Sequence, residues 1–98
     1  MNREEIIERL RENEAVLRQR GVLHAALFGS RARNEQQSES DTDIMIVLDP
    51  EARLTIFDYA ELKSDIGDLL DGAVDVVNRD GLKPHLKPAA VSDAIYAF

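Results

Sequence analysis

The sequence predicts a small α/β (α+β) domain, and three observations carry that prediction. Three short apolar runs, at residues 22–28, 43–48 and 73–77, have strand length and are bounded by glycine, proline or aspartate. Two longer segments, 3–20 and 54–70, repeat apolar residues at helical spacing. Between the first two runs lies a polar stretch that leaves one strand through Gly29-Ser30 and enters the next just after Asp41 and Asp43. Residues 27–47, LFGSRARNEQQSESDTDIMIV, therefore join two strand ends by a loop rich in chemistry.

The whole chain sets limits on what that loop can do. Its 98 residues make one domain, 1–98, with room for one core and one site. Apolar residues at 44% and charged residues at 32% fit a globular protein. With no cysteine, neither disulfides nor thiolate-bound zinc contribute to stability. No stretch approaches the ~20 apolar residues of a membrane span, so a cytoplasmic location and no membrane partner are expected. The formal charge of -7, from 19 acidic against 12 basic residues, repels a nucleic acid backbone, so no long nucleic acid is expected as partner. A small nucleotide arriving with magnesium on its phosphates remains compatible, because the cation offsets the repulsion locally.

Taken in order, Asn2 and Glu5 form a capping-box pattern opening a helix over 3–20 that ends at Gly21. Ile6, Leu10 and Leu17 fall on its buried stripe, and Glu4, Glu8, Arg11, Glu12 and Arg18 on a solvated face. The run VLHAALF reads as a buried strand, in which His24 is expected to be a core residue and not a catalytic one. Gly29 lets the backbone turn sharply, and Ser30 can begin a short helix whose first amides face an anion. An ordinary strand-to-helix turn has the same sequence signature. Arg31 and Arg33 could contact a phosphate or a carboxylate, or simply be soluble surface. Residues 34–40 read as a polar loop over the site.

In the strand at 43–48, stopped by Pro50, residues two apart share a face, so Asp41 and Asp43 are expected to present their carboxylates together. Two such charges destabilise an empty site unless a cation lies between them, which points to magnesium. Absence of a glycine at the sixth loop position argues against an EF-hand. The segment 54–70 is expected to be a packing helix with Leu54, Phe57, Leu62, Ile66, Leu69 and Leu70 inward, closed by Asp71-Gly72, and with Asp58, Glu61, Asp65 and Asp68 in water. Asp75, the one charge inside the run AVDVV, is costly there without a partner and becomes a third candidate ligand; a satisfied or edge-exposed acid is the other reading. Pro84 and Pro88 give the C-terminal segment a broken start, and 89–98 reads as helical with Val91, Ile95 and Phe98 on one side.

A phosphate turn, two acids on one strand and a third on a neighbour form the constellation of two-metal nucleotidyl transfer. In this respect the sequence resembles the minimal nucleotidyltransferase (MNT) family of the DNA polymerase β-like superfamily. The resemblance rests on Gly29-Ser30, ten intervening residues and Asp41-x-Asp43, with GSRAR, SDTD, VDVV and the closing AIYAF in forms like those of the family. Asn34 departs from the glycine usual after the second arginine, and Pro84 and Pro88 are unusual in the last helix. Asparagine tolerates a left-handed backbone, so the turn can be kept.

The resemblance implies a small mixed sheet of about three to four strands flanked by helices, the polymerase β-like fold. It implies ATP as nucleotidyl donor and two magnesium ions, with Asp41, Asp43 and Asp75 as metal ligands and catalytic acids. Gly29 and Ser30 would meet the phosphates with Arg31 and Arg33. It further implies a partner, a HEPN ribonuclease toxin encoded next to the chain and forming a hetero-oligomer with it. The chain would then be its antitoxin, transferring AMP to a hydroxyl, expected to be a tyrosine, of that toxin. Two other readings are an antitoxin that masks the toxin by binding alone, and a small-molecule nucleotidyltransferase completed by a partner domain.

Overall fold

The structure, a computed structural model, describes residues 1–37 and 40–98. The two loop residues 38 and 39, part of the expected polar loop, lie outside the described residues. Helix α1 (Arg3–Glu12) opens with the expected capping box: Asn2 accepts from the Glu5 amide at 2.8 Å, and the Asn2 amide donates to the Glu5 carboxylate at 3.3 Å. Helix α2 (Glu14–Gln19) follows after one residue, Asn13. The single helix expected over 3–20 is therefore two. Asn13 ends the first by donating its side-chain amide to the Arg9 carbonyl at 2.9 Å, the local competition with the helix ladder that asparagine favours.

Strand β1 (Val22–Phe28) pairs antiparallel with β2 (Thr42–Leu48), placing Phe28 opposite Asp43. Helix α3 (Ile56–Leu69) is the crossover that brings β3 (Val74–Asn78) parallel to β2, with Asp43 opposite Asp75. Helix α4 (Lys87–Asp93) then leads to β4 (Ile95–Tyr96), antiparallel to β1. The sheet order is β3-β2-β1-β4, a mixed four-stranded sheet flanked by helices, as the resemblance implied.

One sheet face holds the main core. Ala25, Leu27, Ile44, Ile46 and Val76 pack there with Ile6, Leu10 and Leu17 of the N-terminal helices and Leu62 and Ile66 of α3. The other face carries a small cluster, Ala26, Met45 and Ala90, beneath α4.

Several expectations need correction. Helix α3 begins at Ile56, after a capping box between Thr55 and Asp58, so Leu54 precedes it. Phe57 is 84% exposed. It lies five residues before Leu62, about 140° round the helix from the buried stripe. His24 is exposed, not a core residue, because the β1–β2 register shifts between Val22 and His24 and interrupts the strand's alternation there; its ring meets Tyr96 edge-on at 6.0 Å. The helix expected over 89–98 stops at Asp93. Pro88 is tolerated in its first turn, and Ile95-Tyr96 instead take backbone partners along the free side of β1, continued by the Ala97 amide to Ala25 at 2.8 Å.

Candidate nucleotidyl-transfer site

The acids and the glycine turn meet where β1 ends and β2 begins. Gly29 has φ +75°, in the left-handed region, and a Cβ there would run into the Asp43 carboxylate, lying 3.3 Å from its Cγ. A glycine is required twice over, for the turn and for the space. Asn34 also adopts a left-handed φ of 61°, so it fulfils the conformational role of the glycine it replaces.

Between them the chain forms a tight turn, with Arg33 N–H donating to Gly29 O at 3.2 Å and Glu35 N–H to Ser30 O at 2.8 Å. The segment is a series of turns, so the short helix expected to begin at Ser30 does not form. The physical reason is its anchorage: Ala32 alone is buried, which is too little to sustain a helix of one turn.

Asp43 is half-buried on β2 and lies opposite Asp75 on β3. Burial pushes its carboxyl above the usual carboxylate range, and the negative charges of Asp75 and Asp41 push the same way, against a weaker pull from Arg33 and Arg31. Asp41 is exposed and lies just before β2. Asp75, expected inside an apolar strand, is exposed, because β3 is an edge strand and its acid needs no buried partner. Its predicted position beside the strand of Asp43 holds all the same.

The predicted basic residues are held by protein groups. Arg31 donates to the Ser40 carbonyl at 2.7 Å, bridging the two ends of the loop. Arg33 donates to Glu35 at 3.0 Å and forms an ion pair with Asp93 of α4. These carboxylates, Glu35 first, stabilise its charged form and raise its pKa above the usual arginine value.

Asp43, Asp75, Gly29 and Arg33 line one cleft of about 330 Å³. Its opposite wall is apolar, formed by Leu82, Leu86 and Ala89. A larger concavity of about 520 Å³ lies by Gly21 and Asp49, at the other end of the β1–β2 pair, and holds none of these acids. The smaller cleft is the one that joins Gly29 of the turn to two of the candidate acids, Asp43 and Asp75; Asp41 and Ser30 do not line it.

Among the described residues, no three His, Asp or Glu side chains are gathered as a finished metal site. The donor chemistry nonetheless fits magnesium. Asp43 and Asp75 are hard oxygen donors in register, Asp41 adds its charge, and the space that a Cβ on Gly29 would fill lies against Asp43. Asp93 and the apolar wall escaped the sequence reading. A carboxylate in the last turn of a short helix, where the dipole disfavours it, is the one signal that could have singled out Asp93.

Comparison with known proteins agrees with this geometry. Residues 4–96 match the family "Polymerase beta, Nucleotidyltransferase". The chain is 36% identical over 94 residues to a Methanocaldococcus jannaschii protein provisionally named a protein adenylyltransferase, covering 94% of each. It is 32% identical over 94 residues to protein adenylyltransferase MntA of Thermococcus cleftensis, covering 95% of this chain and 93% of that one. Among solved structures, one provisionally described as a minimal nucleotidyltransferase superposes with a TM-score of 0.79 at 30% identity, covering 97% of this chain and 95% of the other. A toxin-antitoxin crystal structure with AMP-PNP gives 0.69 at 26%, covering all of this chain and 73% of the other.

Proposed function

The chain belongs to the polymerase β nucleotidyltransferase family, as a minimal member, and on that premise we infer that it is an antitoxin that transfers AMP from ATP to a hydroxyl of a HEPN ribonuclease toxin. The observation that supports this reading most is the placement of Asp43 and Asp75 on adjacent strands beneath the Gly29 turn. Protein adenylyltransferase is the name its relatives carry, and a similar structure is a toxin-antitoxin with a non-hydrolysable ATP analogue. A tyrosine is the acceptor that the family resemblance suggests.

In this reading the turn at Gly29-Ser30 receives the phosphates through backbone amides and the Ser30 hydroxyl. Arg31 and Arg33 brace that turn. Asp41, Asp43 and Asp75 would hold two magnesium ions, which supply charge neutralisation on the phosphates and activation of the attacking hydroxyl. The acceptor oxygen bonds to the α-phosphorus, the bond from that phosphorus to pyrophosphate breaks, and pyrophosphate leaves with its electron pair. The proton of the hydroxyl passes to Asp75, the most open of the acids lining the cleft, and from there to water. The apolar wall at Leu82 and Leu86 offers the nucleotide a surface that excludes water.

Incubating the chain with the toxin encoded beside it, ATP and magnesium should add adenylyl groups to the toxin, read by intact mass. The D41A/D43A double variant should abolish the addition. An unmodified toxin with the intact chain would overturn the assignment. Neutralisation by D43N as complete as by the unaltered chain would favour masking by binding alone.

A further inference from the structure

We propose that Asp93 is a positioning residue for the nucleotide: it holds Arg33 across the cleft and so ties the apolar wall on α4 to the phosphate turn. The inference rests on the nucleotidyl-transfer reading of that cleft.

Helix α4 has seven residues, too few to be stable alone, and one buried side chain, Ala90. Its anchor is the small cluster of Ala90 with Ala26 and Met45. Leu86, at the helix start, and Ala89, Ala90 and Asp93 line the cleft at the spacing of one helical stripe. The wall that faces the acids is therefore carried by a weakly held element. A second observation is electrostatic. Asp93 is the last residue of α4, where the carbonyl ends of the helix repel a carboxylate, and the last turn contains no basic residue. Arg33 supplies the missing positive charge from the other side of the cleft.

Arg33 itself is gripped from two directions, by Glu35 through Nε at 3.0 Å and by Asp93 through Nη1. A planar guanidinium bound on two nitrogens has a fixed orientation. Arg33 lies at the far end of the turn that begins at Gly29, whose carbonyl accepts its amide at 3.2 Å. One ion pair thus joins the end of the phosphate turn to the end of the wall helix. With two carboxylates around one guanidinium, the group carries no surplus positive charge, so its service to a polyanion lies in geometry and not in attraction.

Binding of ATP with magnesium, measured by calorimetry without any acceptor, tests this directly. Asp93→Ala should weaken ATP binding about tenfold, and Asp93→Glu, which keeps the ion pair, should stay within about threefold of the unaltered chain. At saturating ATP the Asp93→Ala variant should retain kcat within about threefold, since only the binding frame is loosened. Hydrogen exchange of the α4 amides should quicken in Asp93→Ala and not in Asp93→Glu. Unchanged or tighter ATP binding in Asp93→Ala would overturn the proposal, the latter because Asp93 would then compete with the phosphates. Failure of Asp93→Glu to recover binding would overturn it too. Toxin left unmodified while these affinity shifts persist overturns the acceptor assignment alone; an unaltered chain that binds no ATP overturns both.

Discussion

The two faces of the sheet are built from alternate residues of the same strands, yet they do different work. On β1, Ala25 and Leu27 point into the main core, whereas Ala26 and Phe28 belong to the cleft side. On β2, Ile44 and Ile46 face the core and Asp43 and Met45 face the other way. Among the described residues, the face closed by α1, α2 and α3 has fifteen buried residues in one cluster; the other has three, under one short helix. Stability is concentrated where the apolar residues are many, which leaves the opposite face free to hold like charges that work against it.

The largest expected separation of the two faces is at Asp43. Asp43→Asn should lower transfer by about a thousandfold or more, as loss of a carboxylate central to charge stabilisation does. It should not lower thermal stability. Because burial raises the folded-state pKa of Asp43 above the ordinary carboxylate value of 3.8, the native state holds that proton more tightly. The stabilisation from the protonated group is fully present below pH 3.8 and is lost as pH rises through the folded pKa. At neutral pH the Asn variant should therefore melt at or above the unaltered chain, with the gap closing in acid. A clear fall in melting temperature at neutral pH would assign Asp43 to the structural face.

Ile46, fully buried on the core face, makes the opposite case. Ile46→Ala should destabilise the domain by about 2–5 kcal/mol, a large part of the about 5–15 kcal/mol available to a domain of this size. Transfer per folded molecule should be unchanged, which denaturant melts and activity at low temperature can separate. Gly29→Ala lies between the two, since it strains a left-handed turn and meets Asp43. It should cost about 1–2 kcal/mol by denaturant unfolding and reduce nucleotide affinity as well. The smallest effect belongs to Phe57, 84% exposed on α3. Phe57→Ser should shift stability by no more than about 0.5 kcal/mol.

The same comparison explains what was legible in the sequence. Core strands announced themselves by apolar runs, and the capping box at Asn2 gave the first helix its start, because both signals are local. The approach of Gly29 to Asp43 was legible by spacing, since a turn that approaches a carboxylate admits only glycine. What failed was partner-dependent. The break at Asn13 depends on a side chain that competes with the helix, and the strand at Ile95-Tyr96 exists because β1 offers a free edge. Asp75 had the expected neighbour, and of its two readings, a costly charge inside an apolar run or an acid exposed at an edge, the strand order selects edge exposure. The pairing of Asp93 with Arg33 could not be read from the sequence, because the two residues are sixty positions apart in the chain.

If the weakly packed face carries nucleotidyl transfer to a protein hydroxyl, the product must form on the toxin. Mass analysis of the cognate toxin after incubation with the chain, ATP and magnesium tests it most directly. Adenylylated toxin is expected with the unaltered chain and unmodified toxin with the D41A/D43A variant. Modification that persists in that variant, or toxin that stays unmodified beside the intact chain, would contradict it.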